Sequence, residues 1–238
     1  MGNSLHIRCA LGAALMLCAF PHAQAQSTSP DATLFTVYTV STDLTSVEWI
    51  VCGSTTVTEG CYGSGETNLG TFGHVGAMLE GAPVVSGNTV TRQIYVLDTA
   101  SGTSATGVTL YVYTETITAA LVAQTTVSQT TAVSLPLVGG SSVTASMAAN
   151  TSYLYVGTNQ STQAVAVSKM NWALSTVNGL YPPSNVGAIT ANSYGFVTVT
   201  YGTPGNSTGW VVYDPNGNFW GGGNGFSFIL DTTNAVIR

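Results

Sequence analysis

Charge is what this chain has least of: only 6% of its 238 residues are Asp, Glu, Lys or Arg, against about 25% in ordinary globular domains. Intrinsic disorder of the common, highly charged kind is thereby excluded. Four Lys and Arg against ten Asp and Glu cannot build a phosphate-neutralising surface, which excludes a nucleic acid partner. Histidine is scarce too, with three, so Ser-His-Asp or Cys-His catalysis has little to draw on. Also missing are the nucleophile elbow G-x-S-x-G, the zinc motif H-E-x-x-H, the P-loop, a dinucleotide-binding G-x-G-x-x-G in a βαβ setting, and an EF-hand loop. No cofactor is implied. After the first 25 residues no apolar run is long enough to span a bilayer as a helix.

Those first residues, MGNSLHIRCALGAALMLCAFPHAQA, place Arg8 before an apolar stretch from Ala10 to Phe20 and end on the small-x-small triplet Ala23-Gln24-Ala25. The pattern is that of a secretory signal peptide cleaved after Ala25. Eleven apolar residues fall short of the ~20 that a spanning helix needs. A lipoprotein signal at Cys18 would want a small residue where Leu17 stands. Residues 26–238 are then expected to form a single exported domain, periplasmic or secreted. Its only cations are Arg92, Lys169 and Arg238, and its only histidine is His74. Solvation of such a surface falls to hydroxyls and amides.

Export agrees with the cysteines. Cys9 and Cys18 leave with the signal, and Cys52 and Cys61 remain with eight residues between them. In an oxidising compartment such a pair is expected to form a disulfide. With only His74 nearby, the pair does not make up the four ligands of a structural zinc site, and no metal is expected.

What the chain has in abundance is short runs of β-branched and aromatic residues, bounded by Gly, Asn, Ser and Pro. This is a strand signature. Four pairs are predicted as hairpins: 35–40 with 47–52, 94–98 with 109–114, 153–158 with 164–168, and 196–201 with 209–214. Several runs are apolar at consecutive positions, which predicts sheets covered on both faces by other sheets. MAANTSYLYVGT (147–158) and ITANSYGFVTVT (189–200) align without gaps at an offset of 42, and VSGNTVTRQIYVLD (85–98) is a looser third copy. A period near 42 suits a four-stranded propeller blade, about 40–45 residues.

On those segments the chain resembles bacterial secreted β-propellers of the YVTN and quinoprotein type. IYVLDTASG (94–102) is similar to their repeat, a strand ending in Asp before a Gly-containing turn, and YLYVGTNQSTQAVAVS (153–168) is similar in looser form. The resemblance implies blade architecture only, because the Trp-docking pattern of the alcohol-dehydrogenase type is missing. The expected fold is all-β: a small propeller of four or five antiparallel blades, closed by pairing FSFIL (226–230) with the first hairpin, which lacks a preceding strand. A β-sandwich is the alternative. SLPLVGGSS (134–142) is the best candidate for a linker between two domains but reads equally well as a loop between blades.

Chemistry is harder to place. Glu48, Glu59, Glu66 and Glu80 cluster in sequence around the cysteines, and paired carboxylates could hydrolyse glycans if they lay ~5–10 Å apart. Glu66 and Glu80 are the two candidates. His74 sits in the Gly-rich LGTFGHVGAM. Asp98 and Asp214 precede turns, where a carboxylate caps backbone N–H groups. For binding, LYPPSN (180–185) and YDPNGNFWGGGNG (213–225) set aromatic rings beside glycines and amides. Tyr181 and Trp220 could stack on a sugar, with Asn218 and Asn224 as polar partners. Three functions follow from these residues: a non-enzymatic binder of carbohydrate or a protein partner, an adhesin-like surface protein, and a carboxylate-dependent glycan hydrolase or lyase.

Overall fold

The computed structural model describes residues 25–26, 33–54, 59–101, 107–118, 124–192, 194–203, 206–224, 229–230 and 236–237. The predicted signal segment before Ala25 lies outside them. The described chain is all-β and forms four antiparallel sheets of four or five strands in sequence order, followed by a two-stranded one. The first holds β1 (Ala25–Gln26), β2 (Thr33–Val40), β3 (Ser46–Ser54) and β4 (Glu59–Thr71). The second holds β5 (Val75–Glu80), β6 (Val84–Ser86), β7 (Thr89–Asp98), β8 (Val108–Thr118) and β9 (Gln124–Leu135). The third holds β10 (Ala145–Ala149), β11 (Tyr153–Thr158), β12 (Ala164–Ser168) and β13 (Leu174–Leu180). The fourth holds β14 (Val186–Ala191), β15 (Val197–Thr203), β16 (Asn206–Tyr213) and β17 (Phe219–Asn224), and β18 (Ile229–Leu230) pairs with β19 (Val236–Ile237).

All four predicted hairpins form, with Val40 opposite Val47, Asp98 opposite Thr109, Tyr153 opposite Ser168 and Val197 opposite Tyr213. Their doubly apolar runs are buried on both sides because each sheet packs against its neighbours in the chain. On β7, Ile94 and Val96 join Tyr38 and Val47 of the first sheet, while Tyr95 and Leu97 join Leu154 and Val156 of the third. On β11, Leu154 and Val156 face the second sheet and Tyr155 meets Val197, Val199 and Tyr213 of the fourth. A strand with two buried faces needs apolar residues at successive positions, and that is the pattern seen.

Each pair of neighbouring sheets therefore resembles a sandwich, and four in succession make a propeller-like fan. Its inner side is set by first strands: β5 lies beside β10, and β10 beside β14. Recurrent hydrogen bonds hold these inner strands to the preceding sheet. Val75 N donates to Leu44 O (2.7 Å) in the β2–β3 turn, and Val186 N donates to Ser161 O (2.9 Å) in the β11–β12 turn. The connection from the second sheet to the third runs over 136–144, so the segment 134–142 begins inside β9.

Three expectations need correction. The strand at Ile229–Leu230 pairs with Val236–Ile237 and not with the first hairpin, whose outer neighbour is the short β1. A partner six residues away closes a far smaller loop than one some 200 residues away, and loop-closure entropy favours the local pair. Second, the repeat is not gapless. Ala149 pairs with Leu154 but Ala191 pairs with Val197, so the second strands correspond at an offset of 43. The extra residue sits in the turn, which Asn150 closes onto Tyr153 O and Asn192 closes onto Phe196 O, each at 3.0 Å. Third, Phe219–Asn224 is not part of a loop but the outer strand β17.

Candidate functional site

Among the described residues, two of the exposed large aromatic side chains, Phe219 and Trp220, lie on the outer edge of the fourth sheet. Asp214 begins it by folding the chain back. Its Oδ1 accepts from Asn216 N (2.9 Å) and Asn218 N (2.8 Å), its Oδ2 accepts from Asn218 Nδ2 (3.1 Å), and its own N donates to Asn218 O (2.9 Å). These donors, the Asn218 side chain first, hold the Asp214 carboxyl below its ordinary range. The tight turn delivers Phe219 opposite Tyr213. Trp220 has no register partner, because Gly221 already pairs with Val212; it is the extra residue of a β-bulge, a device that re-aims a side chain. Phe219 and Trp220 are 67% and 69% exposed. Trp220 packs edge-on against Phe196, with ring centroids 5.4 Å apart at 72°.

The glycines that follow have a steric reason. A Cβ on Gly223 would sit 3.2–3.3 Å from the indole of Trp210, and one on Gly222 would lie 2.8 Å from Trp210 O. Their absence lets β17 lie close on β16 and leaves Trp210 against bare backbone. At the end of β17, Asn224 Oδ1 accepts from Tyr201 OH at 3.1 Å. Tyr194, in the turn that holds Phe196, is 69% exposed.

Asn218, Trp220 and Asn224 therefore share one edge, although Asn218 is engaged by Asp214 and Asn224 by Tyr201. Tyr181 is exposed in the connection from β13 to β14. Tyr194, Phe196 and Phe219 escaped sequence reasoning; the bulge that exposes Trp220 depends on strand register, which residue types alone do not show.

His74 lies elsewhere, in the turn before β5. Its Nδ1 is 2.9 Å from Thr99 Oγ1, and its backbone N donates to Asp98 Oδ1 at 2.9 Å. Asp98 also accepts from Gly73 N and Ala100 N, each at 2.9 Å. It is a turn-capping carboxylate, as Asp214 is. Thr99 Oγ1 reaches Gly140 O (3.1 Å) and Val143 O (3.3 Å) across the connection to the third sheet. The hub ties three loops together. Thr99 is fully buried, so its hydroxyl is not an accessible nucleophile.

The carboxylates form a third place. Glu80, on β5, ion-pairs with Arg92 Nη1, and Arg92 Nε pairs with Glu115, its register partner across β7 and β8. Tyr38 OH on β2 donates to Glu115 Oε1 at 2.8 Å. Burial and the neighbouring Glu115 drive the Tyr38 hydroxyl pKa far up, while burial raises that of Glu80 against the lowering influence of Arg92. Glu66 is on β4, in the first sheet. Glu115 and Arg92 were not among the sequence candidates; setting Asp98 opposite Thr109 in that hairpin would have aligned them. Among the described residues no group of three or more His, Cys, Asp or Glu could hold a metal ion.

No family model matches the chain, and no curated protein matches it. Among solved structures, the crystal structure of Citrobacter koseri AztD is similar at a TM-score of 0.38 and 12% identity, over 80% of this chain and 46% of that one. The chain spans less than half of AztD's length, and at this level the likeness says nothing about a ligand.

Proposed function

We propose that the chain is an exported, non-enzymatic binding protein with propeller-like blades that presents the β17 edge to carbohydrate. The observation that carries this reading is the pair Phe219 and Trp220, two large exposed rings on the glycine-rich outer strand β17. Exposed rings stack on the apolar faces of sugars, and amides beside them satisfy hydroxyls. A surface this poor in charge favours a neutral glycan over an acidic one. Export rests on residues 1–25, and the blade reading on the repeat similarity together with the serial packing of the sheets.

The adhesin-like reading differs in its partner, a surface protein, and uses the same edge. Glycan hydrolysis has less support, because Arg92 occupies the Glu80 carboxylate that would have to act as acid or base.

The test is affinity electrophoresis of residues 26–238 through gels cast with neutral polysaccharides, alongside Trp220→Ala and Phe219→Ala. Retardation lost in both variants without a change in melting temperature supports the proposal. No retardation on any neutral glycan, or retardation indifferent to both substitutions, overturns it.

A further inference from the structure

The first sheet meets the second around a buried set of ionisable groups. Arg92 is 8% exposed and Glu115 1%. Besides its two ion pairs, Arg92 donates from Nη2 to Thr36 O (3.2 Å) and to Glu115 Oε1 (3.4 Å), and its Cζ lies 5.5 Å from the centroid of the Tyr38 ring. Thr36 and Tyr38 belong to the first sheet and the charged residues to the second, so the cluster bridges the two. Tyr38 also belongs to an apolar core shared with Trp49 and Val47 on β3, Leu69 on β4, Val127 on β9, and Tyr111 and Tyr113 on β8. Among the described side chains of this interface, Arg92 is the one cation facing two carboxylates.

We propose that this cluster is a proton-operated clamp between the first and second sheets. Protonated Glu80 leaves one guanidinium facing one carboxylate, and the interface closes neutral. Ionised Glu80 leaves one uncompensated negative charge in a mostly apolar contact, and the first sheet is held less firmly. The proton exchanges with solvent through Glu80, whose side chain is 21% exposed while that of Glu115 is 1%. Two carboxylates on one cation are costly to bury together. The raised Glu80 pKa agrees in sign: a carboxyl raised on folding contributes stability that is complete below its unfolded value, about 4.3, and is lost as pH rises through the folded value.

Hydrogen exchange on the full domain tests the clamp, with protection factors corrected for intrinsic rates. Protection of β2 and β3 amides is expected to fall several-fold between about pH 4 and pH 7, since one unit of raised pKa corresponds to a factor of about ten. Amides of β11 and β12 serve as the internal reference and are expected to stay level. In Glu80→Gln the β2 and β3 protection is expected to remain at its acid value throughout. Protection that is flat with pH in the wild type, or that falls equally in Glu80→Gln, overturns the proposal. Should Glu80→Gln fail to fold, a carboxyl carbon NMR titration of the wild type decides instead: a Glu80 midpoint above that of an ordinary glutamate supports the clamp, and one at or below it overturns it.

Discussion

Cys52 and Cys61 stand directly opposite each other, register partners on β3 and β4. Directly opposed residues of antiparallel strands have Cα atoms about 4.5–5.5 Å apart, inside the range of about 4.4–6.8 Å that a disulfide spans. Under oxidising conditions the pair is expected to form this bond. Intact mass before and after reduction with alkylation would show it as two thiols that react only once reduced. Cys52→Ser is expected to lower stability by about 2–3 kcal/mol, the size of loop-closure effects for so short a loop. Free thiols in the unreduced protein would count against both statements.

Two buried tyrosines are expected to respond oppositely to loss of their hydroxyls. Tyr95 is fully buried and its OH has no hydrogen-bond partner, an arrangement that costs the desolvation of the group. Tyr95→Phe should therefore leave stability unchanged or raise it by up to about 1–2 kcal/mol. Tyr38→Phe removes the donor to Glu115 and should cost about 1.5–3 kcal/mol, as for other bonds to charged groups. Urea melts of the two variants side by side make the comparison.

At Gly157 the backbone of the third sheet lies close against Val186 of the fourth. A Cβ there would lie 2.7 Å from Cγ1 of Val186 and 3.1 Å from its Cβ. Val186 is buried at the start of β14, so it cannot turn aside. Gly157→Ala is expected to cost about 1–3 kcal/mol by overpacking. Gly157→Ala combined with Val186→Ala should recover part of that loss, as coupled neighbours do; simple additivity would contradict the contact.

Alkaline pH should unfold the protein through its tyrosines. Burial pushes Tyr95, Tyr113 and Tyr213 up to about 12. An acid whose pKa rises on folding contributes stability that is intact below its unfolded value, about 10, and is lost as pH climbs from there through 12. Tyrosinate absorbance and far-UV circular dichroism are expected to change together in that window. Full ionisation of these tyrosines near pH 10 with the fold retained would refute it.

The parts of this fold legible in the sequence were those where burial is two-sided. IYVLD and YLYVGT read as strands because both faces of β7 and β11 are covered, which demands β-branched and aromatic residues at consecutive positions. The outer strands were not legible for the converse reason. β4, β9, β13 and β17 each have a neighbouring strand on one side only, so Gly, Ser and Thr are tolerated there, and FWGGGN looks like a turn. The candidate site was half visible. Trp220 and its flanking amides stood out by type, but Phe196 and Tyr194 joined them only through a turn one residue longer than its counterpart at Asn150. The clamp was invisible because Arg92, Glu115 and Glu80 meet through strand register, and Tyr38 joins them through packing between sheets.

Serial stacking also makes the four sheets unequal. The second and third are each gripped from two directions, while the first and fourth each rest on one described core. Molecules whose modules depend only on adjacent modules come apart from their extremities inward, like a zipper with two open ends. The aromatic edge proposed to meet sugar sits on one of those extremities, and the proton-sensitive contact fastens the other.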